Sequence, residues 1–149
     1  MRDEVRDFLD SLRESQMELA VLHEQIEQLT AAATRVTTTW KEAPVSSHGD
    51  PHKDGTMVAL ADAKTRLTEE ELRYAQRIID VTDFVGRIES VTYRLILTLR
   101  YINCKSWPEV TAALEQDGVF YTDRHVRRLH GKALNAARRL WAEEHKEET

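Results

Sequence analysis

The chain is poor in everything that interrupts a helix. Five glycines and three prolines are spread over 149 residues, and so few breakers favour long helices over strands and turns. The single cysteine, Cys104, excludes a disulfide framework and fits a reducing cytoplasm. No apolar run approaches the ~18 residues of a spanning helix, so no membrane contact is expected. The opening MRDEVRDFLD is too charged for a signal peptide. A phosphate-cradling glycine loop, an HExxH pair and a nucleophile motif are all missing, so neither enzymatic activity nor a cofactor is expected.

Charge is plentiful but uneven. Residues 1–90 hold 11 Lys and Arg against 18 Asp and Glu, a net −7. Residues 91–142 hold 9 against 4, a net +5, and residues 143–149 hold one against four. The overall −5 therefore hides a basic segment, and a basic segment carries the electrostatic footprint of nucleic-acid binding.

The acidic part is patterned for helix pairing. From Val5, alternating steps of three and four reach Phe8, Leu12, Ser15, Leu19, Leu22, Ile26, Leu29, Ala33, Val36 and Trp40. Only Ser15 is polar, and a sustained 3.5-residue period marks a coiled-coil seam. Glu42 to Thr56 reads as a mobile loop, with two of the three prolines. His48, Asp50, His52 and Asp54 sit in it, but nothing rigid would hold them as metal ligands, so a solvated loop is expected.

The period then resumes through Met57, Leu60, Lys64, Leu67, Glu71, Tyr74, Ile78, Val81, Val85 and Ile88. Thr68 and Glu71 have capping-box spacing, which predicts a break or restart there. A second stripe of Leu72, Ala75 and Ile79 needs a further partner, either the C-terminal domain or a second subunit. Two seams joined by a loop predict an antiparallel helical hairpin, with homodimerisation through the spare stripe.

From Val91 the pattern shortens. An apolar helix carrying Leu95, Leu97, Leu99 and Ile102, with Arg94 and Arg100 exposed, is expected to end near Asn103–Lys105. Ser106-Trp-Pro-Glu109 then combines a serine N-cap, an early proline and a glutamate three residues on. Asp117 and Gly118 break this short helix, and Thr122 caps a last one running to about Trp141. Val126, Leu129, Ala133, Ala137 and Leu140 form its buried stripe, leaving Arg124, His125, Arg127, Arg128, Lys132, Arg138 and Arg139 mostly off it. Trp107, Trp141 and Cys104 read as packing residues. Gly131 costs ~1 kcal/mol within a helix, which a close backbone approach would explain.

Two stretches, Leu99-RYINCKSWPEVTAA-Leu114 and Tyr121-TDRHVRRLHGKA-Leu134, resemble region four of bacterial sigma factors. Thr122, Val126, Arg127, Leu129, Lys132, Ala133 and Leu134 match that family's recognition helix. With the preceding hairpin, the architecture resembles small phage regulators of the RinA and ArpU type. The resemblance implies sequence-specific DNA binding and control of phage or prophage genes, with no sigma region two and so no complete sigma factor. It implies that Asp123, Arg124, Arg127 and Arg128 face bases and backbone, and that Lys132 faces phosphate or a polymerase-bound partner. Two departures stand out: Cys104 replaces a usual glycine, and the turn Gln116–Tyr121 is longer than the family norm.

The sequence thus predicts an all-α protein: a hairpin over 1–90 (mobile loop 42–56), a helix-turn-helix domain over 91–142, and an acidic tail over 143–149. The expected DNA-binding residues are Lys105, Ser106, Thr122, Asp123, Arg124, His125, Arg127, Arg128 and Lys132. Expected partners are double-stranded DNA, a second copy, and RNA polymerase as a further contact. The alternatives are a packaging protein like a small terminase subunit and a polymerase-gripping module that reads no DNA.

Overall fold

The computed structural model describes residues 2–42, 51–115 and 120–146, with side chains described for all of these except 36–42 and 51–54. Five α-helices account for the fold: α1 (Glu4–Glu42), α2 (Pro51–Gly86), α3 (Val91–Leu97), α4 (Trp107–Leu114) and α5 (Asp123–Lys146). A π-helical turn, Thr98–Ile102, extends α3.

Helices α1 and α2 form the expected antiparallel hairpin. Gln16 donates to the Tyr74 hydroxyl at 2.7 Å, and His23 lies 4.0 Å from Glu71. Ascending numbers on α1 thus meet descending numbers on α2. Ser15 is buried in the seam between apolar neighbours.

The face of α2 differs in phase from the sequence expectation. Leu60, Ala63, Leu67, Glu70 and Tyr74 turn inward, while Met57, Lys64 and Glu71 are exposed. Beginning the heptad at Met57 placed two charges in the seam; the observed face keeps the same period, with Ala63 in place of Lys64 and Glu70 in place of Glu71. Nor does α2 restart at Thr68, whose hydroxyl donates to the Lys64 carbonyl inside a continuous helix. The interhelical segment is also shorter than 42–56, because Glu42 ends α1 and Pro51 opens α2, a position that suits its fixed φ and missing N–H. Residues 43–50, with His48 and Asp50, and the side chains of His52 and Asp54, lie outside the described residues.

Contacts divide the chain into two units, residues 1–14 with 75–149 and residues 15–74. This differs from a boundary near residue 90. The reason is an aromatic cluster that joins the start of α1, the end of α2 and the end of α5. Phe8 meets Phe84 edge-on at 5.6 Å and Trp141 at 5.1 Å, and Phe84 meets Trp141 at 5.6 Å. Val5, Leu9, Leu12, Val81, Val85 and Ile88 are buried in the same unit. Each fully buried aliphatic side chain contributes about 1.5–3 kcal/mol through removal from water. Arg138 donates to Asp3 at 2.7 Å, and Arg87 to Glu144 at 2.5 Å, at the margins of this unit. The Arg138 hydrogen bond holds the Asp3 carboxyl below its ordinary range. Helix α5 is correspondingly longer than expected and takes in Glu143–Lys146 from the acidic tail; 147–149 lie outside the described residues.

A left-handed residue follows the π-helical turn and its Asn103 cap. Cys104 has φ of 52°, which is why a glycine suits this position: its Cβ is crowded in that conformation. The Arg100 guanidinium donates to the Lys105 carbonyl at 2.9 Å and lies 4.6 Å from the Trp107 ring centroid, holding the turn closed. Arg100 is thus half-buried rather than exposed, and so is Arg94, which donates to the carbonyls of Ile88 and Glu89. Cys104→Gly is expected to raise stability by about 1 kcal/mol, the relief of left-handed strain less the extra backbone entropy of glycine. Chemical denaturation checks this, and a loss of stability would show that the thiol packs better than its backbone suffers.

Candidate nucleic-acid interface

Helices α3, α4 and α5 enclose a small core of Ile96, Val110, Leu114 and Val126, flanked by Leu99, Trp107, Tyr121 and Leu129. The caps that define its two interior helix starts are both formed. The Ser106 hydroxyl accepts from the Glu109 amide, while the Glu109 carboxylate accepts from the Ser106 amide at 2.8 Å. This reciprocal bond lowers the Glu109 pKa. The Thr122 hydroxyl accepts from the His125 amide at 3.2 Å and starts α5. A short helix and a longer helix thus pack around a shared core. Residues 116–119, most of the segment Gln116–Tyr121 that the sequence reads as a long turn, lie outside the described residues.

All nine residues expected to bind DNA are exposed: Lys105, Ser106, Thr122, Asp123, Arg124, His125, Arg127, Arg128 and Lys132. They are not equivalent. Ser106 and Thr122 are engaged as caps, so their hydroxyls first serve the backbone. Asp123 stands in the first turn of α5, where a carboxylate favours the helix dipole. His125 stacks on Tyr121, with ring centroids 5.6 Å apart and planes 11° from parallel.

Four of the cations of α5 are different again. At 3.6 residues per turn, Arg124, Arg127, Arg128 and Lys132 fall within about 140° of arc, opposite the buried Val126, Ala133 and Ala137. Of the other cations, Arg2, Arg6, Arg73, Arg87 and Arg138 are in ion pairs, while Arg13, Lys64, Arg66, Lys105 and Arg139 are in none among the described residues. Among the described residues, none of the four on this face of α5 is in an ion pair. Gly131 lies in the middle of the face, and a Cβ there would meet nothing within 4 Å. No intramolecular approach therefore demands a glycine.

No protein-family model matches the chain, and no curated protein or solved structure is similar enough to count as a match. Among the described residues no helix is long and apolar enough to cross a membrane.

Sequence reasoning did not find what supports this face from behind. His130 points inward: its Nε2 lies 2.8 Å from the Tyr101 hydroxyl, its ring stacks on Tyr101, and Trp107 meets it edge-on at 4.7 Å. Burial, aided by the positive charges of Arg6, Arg100 and Arg138, lowers its pKa to about 4. The unfolded state, with a pKa near 6.5, therefore binds the proton first as pH falls. Stability is complete above about pH 6.5 and is lost between there and about pH 4. Linkage alone would give about 3 kcal/mol, which solvent around the partly exposed ring reduces to about 1–2 kcal/mol. Denaturation at pH 7 and pH 4.5 measures it. His130→Gln, which cannot titrate, is expected to lose less stability over this interval than the native chain; equal losses would place the titrating group elsewhere.

Proposed function

We propose that this protein binds double-stranded DNA through the Thr122–Lys132 face and regulates transcription, in phage or prophage genes as the sigma region four and RinA/ArpU resemblance implies. The observation that carries this reading is the set of four exposed cations on one face of α5 that are in no ion pair among the described residues. A solvated helix surface usually spaces opposite charges at i,i+4, where each pair stabilises. This one has Asp123 as its sole acid in the first three turns. In helix-turn-helix folds the second helix enters the major groove and its N-terminal residues reach base edges. The arginine forks of Arg124 and Arg127 can pair bidentately with guanine, while Lys105, Arg128 and Lys132 neutralise phosphates.

A homodimer is part of the proposal. Leu72 and Ile79 are 68% and 52% exposed, and Ala75 between them is exposed, which supports a second copy as the partner of this stripe. Sedimentation of the full chain is expected to give a dimer at micromolar concentration, and a monomer there would remove this part. Selection of bound fragments from a random duplex pool tests the main reading. Enrichment of one motif is expected; recovery of no DNA would refute it.

A further inference from the structure

We propose that Phe120 reads a thymine: its ring packs on the 5-methyl group of that base at the edge of the DNA site. The inference rests on the DNA-binding reading and adds a specificity residue that the cation pattern does not contain. Phe120 is 93% exposed, the highest value among the exposed large hydrophobic residues, which otherwise span Leu95 at 40% to Leu72 at 68%. An aromatic side chain of 150–250 Å² held in water is apolar area awaiting a partner.

Its place in the fold narrows what the partner is. Tyr121, the next residue, packs on the helix-turn-helix core and stacks on His125. Thr122, the one after, caps α5. Two consecutive residues are therefore pinned, and the Cα of Phe120 lies within about 7 Å of that of the cap residue. This is the N-terminal end of α5, the end that reaches base edges when such a helix enters the major groove. Asp123, Arg124 and His125 occupy the same end and are all exposed, so the surface beside the ring is polar rather than apolar. A phenyl ring offers neither donor nor acceptor. In the major groove the thymine methyl is the apolar group that tells one base from the others, and phenylalanine is among the side chains that contact it.

The test uses the full chain and the preferred site obtained by selection. Each thymine of that site is replaced in turn by deoxyuridine, which removes only the methyl. One replacement near the end of a half-site is expected to weaken the native protein about five- to tenfold, as expected for the low end of a base-pair change. Phe120→Ala is expected to bind the methylated site more weakly by a similar factor and to be indifferent to that replacement. Phe120→Leu, which keeps an apolar side chain, is expected to retain part of the methyl dependence. The exposed position makes both variants compatible with the native fold, and thermal unfolding verifies it. If Phe120→Ala binds the site as the native chain does, or shows the same uracil response, the inference fails while the DNA-binding reading stands. A changed sedimentation state with unchanged DNA affinity also overturns it and assigns the ring to a protein contact. If the native chain binds no DNA, both fall together.

Discussion

Alanine at Arg124 or at Arg127 is expected to weaken binding to the preferred DNA site by about 1–3 kcal/mol each, roughly five- to 150-fold. The two side chains lie three residues apart on one face of α5, opposite its buried stripe. Neither is held by an ion pair among the described residues, so no internal bond competes with DNA. Both are also exposed, so the loss is one of binding and not of folding. Lys132→Ala serves as the contrast. A phosphate contact weakens all sequences alike and reduces the salt dependence by about one unit of slope. Arg138→Ala is a second contrast, because Arg138 is committed to Asp3 and its loss registers in stability. Equal binding by the native chain and the Arg124→Ala, Arg127→Ala double variant, measured by fluorescence anisotropy, would remove this face from the interface.

Phe84→Ala is expected to destabilise the protein by about 3–5 kcal/mol. Phe84 is 2% exposed and touches two rings that are distant in sequence, Phe8 and Trp141. Its removal leaves a cavity among side chains from α1, α2 and α5, and edge-to-face ring contacts are lost with it. A loss of that size is a large fraction of the 5–15 kcal/mol by which a native domain is usually stable. Denaturant unfolding followed by circular dichroism measures it. A cost below about 1 kcal/mol would mean that the cluster does not join the start of α1 and the end of α5.

The helical hairpin and the starts of α4 and α5 were legible because both leave local marks. The 3.5-residue seam of α1 needs only its own residues, and Ser106, Glu109 and Thr122 announce helix starts through side chains of fixed reach. Phase was harder. Met57 is apolar and opens the resumed pattern, yet it is half exposed, and starting from it placed Lys64 and Glu71 in the seam instead of Ala63 and Glu70. Long-range partners were not legible at all. Periodicity gives the inward side of a helix but not what covers it, so the pairing of Phe8 and Phe84 with Trp141 left no trace in spacing. Arg94 and Arg100 were misplaced for a related reason. Their guanidinium groups reach backbone carbonyls at 2.6 Å and 2.9 Å, and a carbonyl has no sequence signature. The left-handed Cys104 was visible only as a departure from the glycine of the resembling family; its φ supplies the physical reason. The nine candidate site residues were all placed outside by pattern and charge, and Ser106 and Thr122 were read as caps, but the stacking of His125 on Tyr121 is a contact that the pattern does not give.

The most direct test is the salt dependence of DNA binding by the full chain on its selected site, from 50 to 200 mM monovalent salt. Cations that neutralise phosphates release condensed counterions, and about four such contacts give a log–log slope of about −3 or steeper. The account predicts that slope, made shallower by about one unit in Lys132→Ala. Binding that is flat across this range, or absent at its low end, would contradict it.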